Sequence, residues 1–583
     1  MATRQNPDQG LLYQVDEKAP LPLAGRIGLQ YALLSLSGRM LMPTVAFRAA
    51  GASDAAVIWA VFASLVICGA ITALHARPIG RFGAGYVLGI GPASAAIAVT
   101  TDALKAGGSA LLALLAATAS LFQFAFAMRM SLLRRLLTPT VSGTALMLIP
   151  VTVLPIMFGM LDDVPAGHPA TAAPACAGVT FAVVGGIMLK GTPNLRSWAP
   201  VLGIVAGCVV ASFYGLYDVN LIVQAAWVGV PTEWPGHFAA FGDDLDFATF
   251  AGMVPAFVLL FLICTIRSMS SSLAIQTVSW RERRALDFRP VQGAIAGDAL
   301  SNLAAGLAGT MPNGANSGTV ARTQLTGVAA RSVGVVFGVA TILLALCPKI
   351  VALVLAVPGP VFAGYVTVMI SATFTIGLKM AVSEGADHRQ GLIIGLAFWI
   401  GVGCQYGFIF PEFVATFAGG VLKSALTAGG LVAILLTAAL VLTAPPRRRL
   451  QTQLAVASLP ELRDFVRNLV ERHQWGSAMT GRLDAVAEET LLTLLRDDRE
   501  AAEQERRLLV FASREGNDAV LEFIAAGGQE NIEDRLAVLG ETATEESFER
   551  DVSLRLLRHL ASEVRHRQYH DVDIMTVRVV EPT

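Results

Sequence analysis

Gly297 to Arg331 reads GDALSNLAAGLAGTMPNGANSGTVARTQLTGVAAR, between long apolar segments. Its middle, Met311 to Gln324, is too polar and too Gly-rich for an ordinary membrane helix. Backbone that leaves regular helix at membrane depth is tolerated only where protein buries it or where it lines a cavity. Interrupted hydrophobic segments at matching places in two halves of a chain point to a transporter's binding site. The matching segment here is Ala84 to Thr101, AGYVLGIGPASAAIAVTT. The two segments are read as the walls of a substrate site.

Composition supports a membrane setting. Of 583 residues, 54% are hydrophobic and only 15% charged, with a mean hydropathy of +0.59; a soluble chain of this length is far more polar. The net charge of −1 excludes nucleic acid as a partner held by bulk charge. The six cysteines lack metal-site or disulfide spacing and read as small buried hydrophobes, so no metal and no cofactor is expected. The polar N-terminus has no apolar core of a cleavable signal peptide.

Apolar segments long enough to cross about 30 Å of hydrocarbon predict about fourteen crossings. The third (84–101) and tenth (313–328) are only partly helical, while 108–127, 290–309 and 332–356 read as ordinary spans. Basic residues gather on one side: Arg77, Arg81, Arg134, Arg135, Lys190, Arg196, Arg281, Arg283, Arg284, Arg289, Arg331, Lys379, Arg389 and Arg447 to Arg449. The other side carries Asp162, Asp163, Glu233, Asp243, Asp244, Asp246 and Glu412, with Arg48 and Lys105 as exceptions. This asymmetry places both termini in the cytoplasm of a multi-pass inner-membrane protein in the lipid bilayer.

The halves are related. LTPTVSGTALMLI from Leu137 resembles VPGPVFAGYVTVMI from Val357, with Pro139 and Pro360 separated by 221 residues; Pro92 and Pro312 are separated by 220. Seven crossings per half is an odd number, so the halves must be inverted relative to one another. The expected fold is an α-helical polytopic membrane protein of two inverted seven-segment repeats, plus a small cytosolic α/β domain. The expected boundaries are a cytoplasmic tail over 1–24, a membrane domain over 25–444, a linker over 445–455 and the cytosolic domain over 456–583. In that domain Leu459–Arg472, Arg482–Leu495 and Ser553–Val564 read as amphipathic helices. Leu508–Ser513, Ala519–Ala525 and Ile574–Val580 alternate like strands.

GDALSNLAAGLAGTMPN, LTGVAARSVG, VPGPVFAG, GLQYALLSLSGRMLMP from Gly28, GYVLGIGPASA from Gly85 and LTPTVSGT resemble the nucleobase–ascorbate transporter family of xanthine and uracil permeases. The resemblance covers about residues 25 to 443. It implies fourteen membrane segments split into core and gate domains, short strands of the third and tenth segments meeting at the substrate, and a homodimer with contacts through the gate. The related sulfate-permease family has the same fold, and VARTQLTG also looks like its tenth-segment ending; the ungapped spacing from Pro312 to Gly327 favours the nucleobase family. The family's Glu in the eighth segment is replaced by Cys264, in Cys264-Thr265-Ile266-Arg267-Ser268. Its Glu or Gln followed by Asn in the tenth becomes Gly318 and Thr319, and its internal Gly becomes Ala321, while Thr326 and Gly327 match.

The tail resembles the ATPase fold of anti-sigma-factor serine kinases, through LPELRDFVRNLVERHQW, RLDAVAEETLLTLLRD and DVSLRLLRHLASEVRHRQYHDVDIMTVRV. Glu489 matches that family's catalytic Glu, but the Asn four residues on is Thr493, and AAGGQENIED and ERDVSL replace the adenine and phosphate motifs. A non-catalytic regulatory or docking domain, open to a cytosolic partner protein, is expected.

The expected substrate-binding residues are Ser94, Ala95, Cys264, Arg267, Ser268, Asn316, Ser317, Gly318, Thr319 and Arg322. An arginine at membrane depth points to a cavity or ion path; alternatively Arg322 snorkels to the interface and Arg267 pairs with a helix C-terminus. Asn313, Asn316, Ser317 and Thr319 contact substrate or satisfy backbone freed at Gly314 and Gly318. Gln30 and Tyr31 face the site or the gate. Cys264 reads as packing, and Asp298 as a helix cap.

The expected function is a secondary transporter for a nucleobase-like heterocycle, without enzymatic activity. A small-anion transporter and a ligand sensor signalling through the tail are the alternatives. The eighth and tenth segments hold no Asp, Glu or His, and Asp298 and Glu384 read as hydrated at segment ends, so weak dependence on a proton gradient is expected.

Overall fold

The structure, a computed structural model, describes residues 11–128, 138–165, 167–217, 219–231, 247–281, 284, 286–316, 318–382, 388–412, 422, 424–443, 448–496, 507–515, 518–526, 556–569 and 572–580. Ser317, Glu384, Arg134, Arg135 and the ERDVSL segment lie outside them. Two compact units emerge: Met1–Arg281 with Gly293–Leu442, and Glu282–Gln292 with Thr443–Thr583.

The first unit is helical around one pair of short strands. Helices α1 (Leu21–Ala49) and α2 (Asp54–Ala76) lead into β1 (Ile90–Pro92), and α3 (Ala96–Met128) leaves it. Pro92 has no N–H to donate and arrests helix here, as Pro312 does before the second strand. Then come α4 (Pro139–Gly159), α5 (Ala172–Lys190), α6 (Pro193–Phe213), the short α7 (Val219–Gln224), α8 (Phe247–Val278) and α9 (Phe288–Ala308). The second strand, β2 (Asn313–Ala315), opens into α10 (Gly318–Thr326), α11 (Arg331–Ala345), α12 (Pro348–Leu355), α13 (Gly359–Ala381), α14 (His388–Gln405) and α15 (Ala425–Thr443).

β1 and β2 pair antiparallel, with Ile90 opposite Ala315, Gly91 opposite Gly314 and Pro92 opposite Asn313. The two broken segments therefore meet, as expected, and antiparallel pairing sends the chain away in opposite directions on the two strands. Gly89 is obligatory at the crossing: a Cβ there would lie 2.6 Å from Thr319 Oγ1 and 2.8 Å from the Phe337 ring.

The other matched pair also packs together. α4 and α13 cross so closely that a Cβ on Gly143 would lie 2.3 Å from Ala381 N and 2.5 Å from Gly377 O. The main apolar core runs through Leu41, Val45, Val61, Leu112, Ile149, Phe257, Phe261 and Tyr365. Among the described residues six helices are long and apolar enough to cross a membrane, or seven if the bent pair α11 and α12 is one span.

One expectation about the spans changes. The segment read as one span over 332–356 bends by 80° between α11 and α12, because Pro348 opens a new helix and Cys347 before it takes extended backbone (φ −111°, ψ 86°). Between the expected third and fourth segments, Gly107 and Gly108 leave helical geometry, the latter at φ +63°, so Ala96–Met128 is two helices meeting at a kink.

The second unit is a five-stranded antiparallel sheet of β3 (Arg448–Gln453), β4 (Arg507–Glu515), β5 (Asp518–Ala526), β6 (Glu563–Gln568) and β7 (Val572–Val579), in the order β3-β4-β5-β7-β6. Helices α16 (Leu459–His473) and α17 (Ser477–Arg496) cover it, with Leu462, Val466, Leu483 and Leu491 set on Val510, Phe523 and Val577. Residues 448–453, inside the expected linker, form the sheet's edge strand. The amphipathic helix expected over Ser553–Val564 does not reach its end: Glu563 and Val564 open β6, paired to Arg578 and Val577, because cross-strand pairing overrides the local helical period.

Candidate functional site: the crossing strands

Ile90 has both backbone groups turned away from β2. They do not go unpaired: its N–H donates to Thr72 Oγ1 at 3.3 Å, and its C=O accepts from Arg39 Nε at 2.9 Å and Nη2 at 2.7 Å. Arg39 also donates to Thr341 Oγ1 at 2.6 Å and lies 4.6 Å from the Phe337 ring centroid. It is 2% exposed, and no carboxylate pairs with it among the described residues. A strand edge at membrane depth needs such a donor.

On the other strand, Asn313 N donates to Asn302 Oδ1 at 2.7 Å, and Asn302 Nδ2 to Gln123 Oε1 at 2.9 Å. The Asn313 side chain donates to Ser301 Oγ at 3.1 Å and accepts from Cys68 Sγ at 3.4 Å, so it is consumed by structure. Asn316 starts α10: its Oδ1 accepts from Gly318 N at 2.9 Å, and its N–H donates to Gly89 O at 2.8 Å. Thr319 Oγ1 accepts from Gly89 N at 3.2 Å. These polar groups thus hold the crossing, and α3 and α10 both begin within a few residues of it; helix N-termini favour a ligand with negative or hydrogen-bond-accepting edges.

α8 supplies the other wall. Cys264 is buried against Gly314, whose Cβ would stand 3.7 Å from Sγ. Ser268 Oγ accepts from Ala315 N at 3.4 Å and donates to Asp298 Oδ2 in a close contact. Arg267, between them, is half-buried and makes no hydrogen bond among the described residues. On the β1 side Ala95 is buried and Ser94 half-buried. Arg322 turns away from α8 toward α1, its guanidinium 3.5 Å from Tyr31 O and Leu34 O. Gln30 is exposed and Tyr31 fully buried, its hydroxyl 2.9 Å from Thr326 Oγ1.

Asp298 corrects a sequence reading. It neither caps a helix nor meets water: it sits in the middle of α9 at 0% exposure, 3.1 Å from His75 Nε2. The reading erred because position along an apolar segment is a poor guide to depth once helices pack. His75, Arg39, Asn302 and Gln123 escaped the sequence analysis; the only signal was a polar side chain within an apolar helix.

A separate cavity of about 1300 Å³ is lined by Arg48, Asp102, Lys105, Asp162, Asp163 and Gln405, among others, and includes none of the strand residues. Arg48 and Lys105, the exceptions to the charge asymmetry, both line this cavity together with these acids.

In the second unit Thr493 Oγ1 donates to Glu489 O at 2.6 Å, so the hydroxyl at the expected Asn position is spent on its own helix.

The model of the xanthine/uracil permease family, described as the permease family, matches residues 26–410. The chain belongs to this permease family. A putative purine permease of Clostridium perfringens is 25% identical over 448 residues, covering 75% of this chain and 94% of its own. The xanthine permease XanP of Escherichia coli is 25% identical over 467 residues, covering 76% and 97%. The uric acid permease PucK of Bacillus subtilis is 26% identical over 380 residues, covering 63% and 84%. The transmembrane domain of the cyanobacterial bicarbonate transporter BicA aligns with a TM-score of 0.42 at 17% identity, covering 73% of this chain and 99% of its own. The permease is accordingly a multi-pass membrane transporter of a small molecule and not an enzyme.

Proposed function

We propose that this permease is a secondary transporter of a nucleobase-like heterocycle of the xanthine or uracil kind. The observation that carries the reading is the β1/β2 crossing, with α3 and α10 each starting a few residues beyond its strand, in a chain related to xanthine, uric acid and purine permeases. Ser94, Ala95, Cys264, Arg267, Ser268, Asn316, Ser317, Gly318, Thr319 and Arg322 are the substrate-binding set of this reading, with Arg267 its most available donor. The membrane domain has fourteen segments in two inverted repeats, core and gate, over 25–444, and moves by an elevator-type or rocking motion. It works as a homodimer in the inner membrane with both termini cytoplasmic, 1–24 forming the N-terminal tail. Beyond 444 the chain leads into a non-catalytic ATPase-like domain that takes in the edge strand β3 (Arg448–Gln453) as well as 456–583, and this domain docks a cytosolic regulatory protein.

One observation favours a second reading. Arg267, three residues after the position where the family places an acid, carries a positive charge without a hydrogen-bond partner among the described residues, which suits a small anion. Thermal-shift and uptake screens of purified protein against purines, pyrimidines, sulfate, bicarbonate and carboxylates separate the two. Stabilisation by xanthine or uracil is expected; stabilisation by the anions alone overturns the nucleobase reading. Loss of anion uptake in Arg267→Gln, with purine uptake absent throughout, would establish the second.

A further inference from the structure

The β6–β7 end of the second unit's sheet buries polar side chains that an apolar core does not explain. His566, Gln568, Tyr569 and Asp573 are all at most 3% exposed. Gln568 stands opposite Asp573 in the β6/β7 pairing, on the face that also carries the pair Val564 and Val577. Polar groups are buried in this way only where partners meet them. Those partners come from the chain between α8 and α9, because Glu282–Gln292 belong to this unit and not to the helical one.

Phe288 and Arg289, the first two residues of α9, make the contact. The Phe288 ring lies 5.1 Å from that of Tyr569, with the planes 34° apart, and the Arg567 guanidinium lies 5.9 Å from the Phe288 centroid. Asp287 fixes Arg289 by a two-point grip: Nε donates to Oδ1 at 3.0 Å and Nη2 to Oδ2 at 2.9 Å. The same Oδ1 accepts from Arg289 N at 2.9 Å, which caps α9. The guanidinium so placed is 3.5 Å from Gln568 Oε1 and is acted on by the Asp573 carboxylate. One short segment thus brings a ring and a cation to a surface that offers a ring, an amide oxygen and a carboxylate.

The chain connections give this contact a consequence. Beyond Gln292, α9 runs into the helices that carry the strands: a Cβ on Gly306 would stand 2.8 Å from Ala116 Cβ in α3, and Asn302 Oδ1 accepts from Asn313 N of β2. The sheet's first strand, β3, follows α15 after only residues 444–447, a reach of under about 20 Å. α15 packs on a different group of helices: a Cβ on Gly429 would stand 2.4 Å from Leu148 Cδ1 in α4 and 2.5 Å from Ala397 O in α14. The second unit is therefore fastened to the α4, α13, α14 and α15 group by the chain after α15, and to the strand-bearing group by the docked start of α9.

We propose that the β6–β7 end of the sheet is the docking surface for the α8–α9 loop, and that the docked tail is a brake on transport. This rests on the permease reading above, in which one group of helices moves against the other. While the loop is docked, the tail ties the two groups together, and the crossing opens only after release. A cytosolic partner presenting an aromatic side chain beside an arginine competes for the same surface and speeds transport.

The test uses the full-length protein in liposomes, with exchange of labelled xanthine measured at equal pH on both sides. Tyr569→Ala removes the ring that Phe288 meets, a contact worth up to about tenfold in the docking equilibrium, and is expected to raise the exchange rate by up to about tenfold. Phe288→Cys combined with Tyr569→Cys and joined by a reducible bismaleimide is expected to stop exchange, and reduction of the linker to restore it. A second readout needs no substrate: the rate at which N-ethylmaleimide labels Cys264, buried at the crossing, followed on its own peptide by mass. Labelling should quicken in Tyr569→Ala and slow in the linked pair. Exchange and labelling unaltered by both changes, or a pair that does not link, overturns the proposal. Should Tyr569→Ala unfold the tail, the linked pair decides alone, since linking needs the folded surface. If the natural protein exchanges no xanthine, the substrate reading falls, and Cys264 labelling still decides the brake.

Discussion

Replacing Arg39 by Met tests whether the crossing strand depends on one buried cation. In the paired register Ile90 presents its C=O outward from β2, and two guanidinium N–H groups, at 2.9 and 2.7 Å, are its donors. Met fills much of the same volume and donates nothing. The abandoned carbonyl then costs about 1–3 kcal/mol, and loss of the 4.6 Å contact with Phe337 removes about 1–2 kcal/mol more. Relief from holding a desolvated charge offsets part of this. The two threonines lose little, since Thr341 Oγ1 already donates to Phe337 O at 2.9 Å. A net cost of about 2 kcal/mol falls on the strand-paired state alone, which lowers apparent substrate affinity about thirtyfold. Arg39→Lys, with one ammonium able to reach Ile90 O, should recover part of it. Isothermal titration with xanthine, or saturation of uptake, reads the affinity, and a melting curve in detergent reads the fold. Unchanged affinity and melting temperature in Arg39→Met would show that the carbonyl has another donor and that the clamp is not needed.

Gly143→Leu forces a side chain into a space where even a Cβ stands 2.3 Å from Ala381 N; the melting temperature should fall by an amount matching at least about 1–3 kcal/mol, and an unchanged melt would show that α4 and α13 do not meet this way. Within the substrate-binding set Cys264 lines the wall by packing beside Gly314, so Cys264→Ala should leave xanthine uptake within about twofold; a severe loss would assign the thiol a polar contact with the substrate. In the second unit, burial first and the Arg289 guanidinium second push the His566 imidazole down from 6.5 to about 4. The unfolded chain then binds the proton first, so stability is whole above pH about 6.5 and falls by up to about 3 kcal/mol as pH drops to about 4. Hydrogen exchange of β7 amides in the full chain, corrected for intrinsic rate, reads this; protection independent of pH would refute it, and His566→Phe should flatten the dependence.

Gly, Pro and hydropathy act on the backbone next to them, which is why the breaks at Pro92 and Pro312 and the change of composition after Thr443 are legible in the chain by itself. So are the strands β4, β5 and β7, whose alternation is local. What the sequence left open are the partners of polar side chains. Asp298 meets His75 across 223 positions, and Arg39 meets Ile90 across 51 and Thr341 across 302. Cys264 became a wall against Gly314 and Arg322 turned toward α1 for the same reason. The end of the helix read over Ser553–Val564 became a strand because an unpaired edge of β7 was available. A buried charge is tolerable only beside particular donors and acceptors, and only helix packing brings residues so distant in the chain within hydrogen-bond reach.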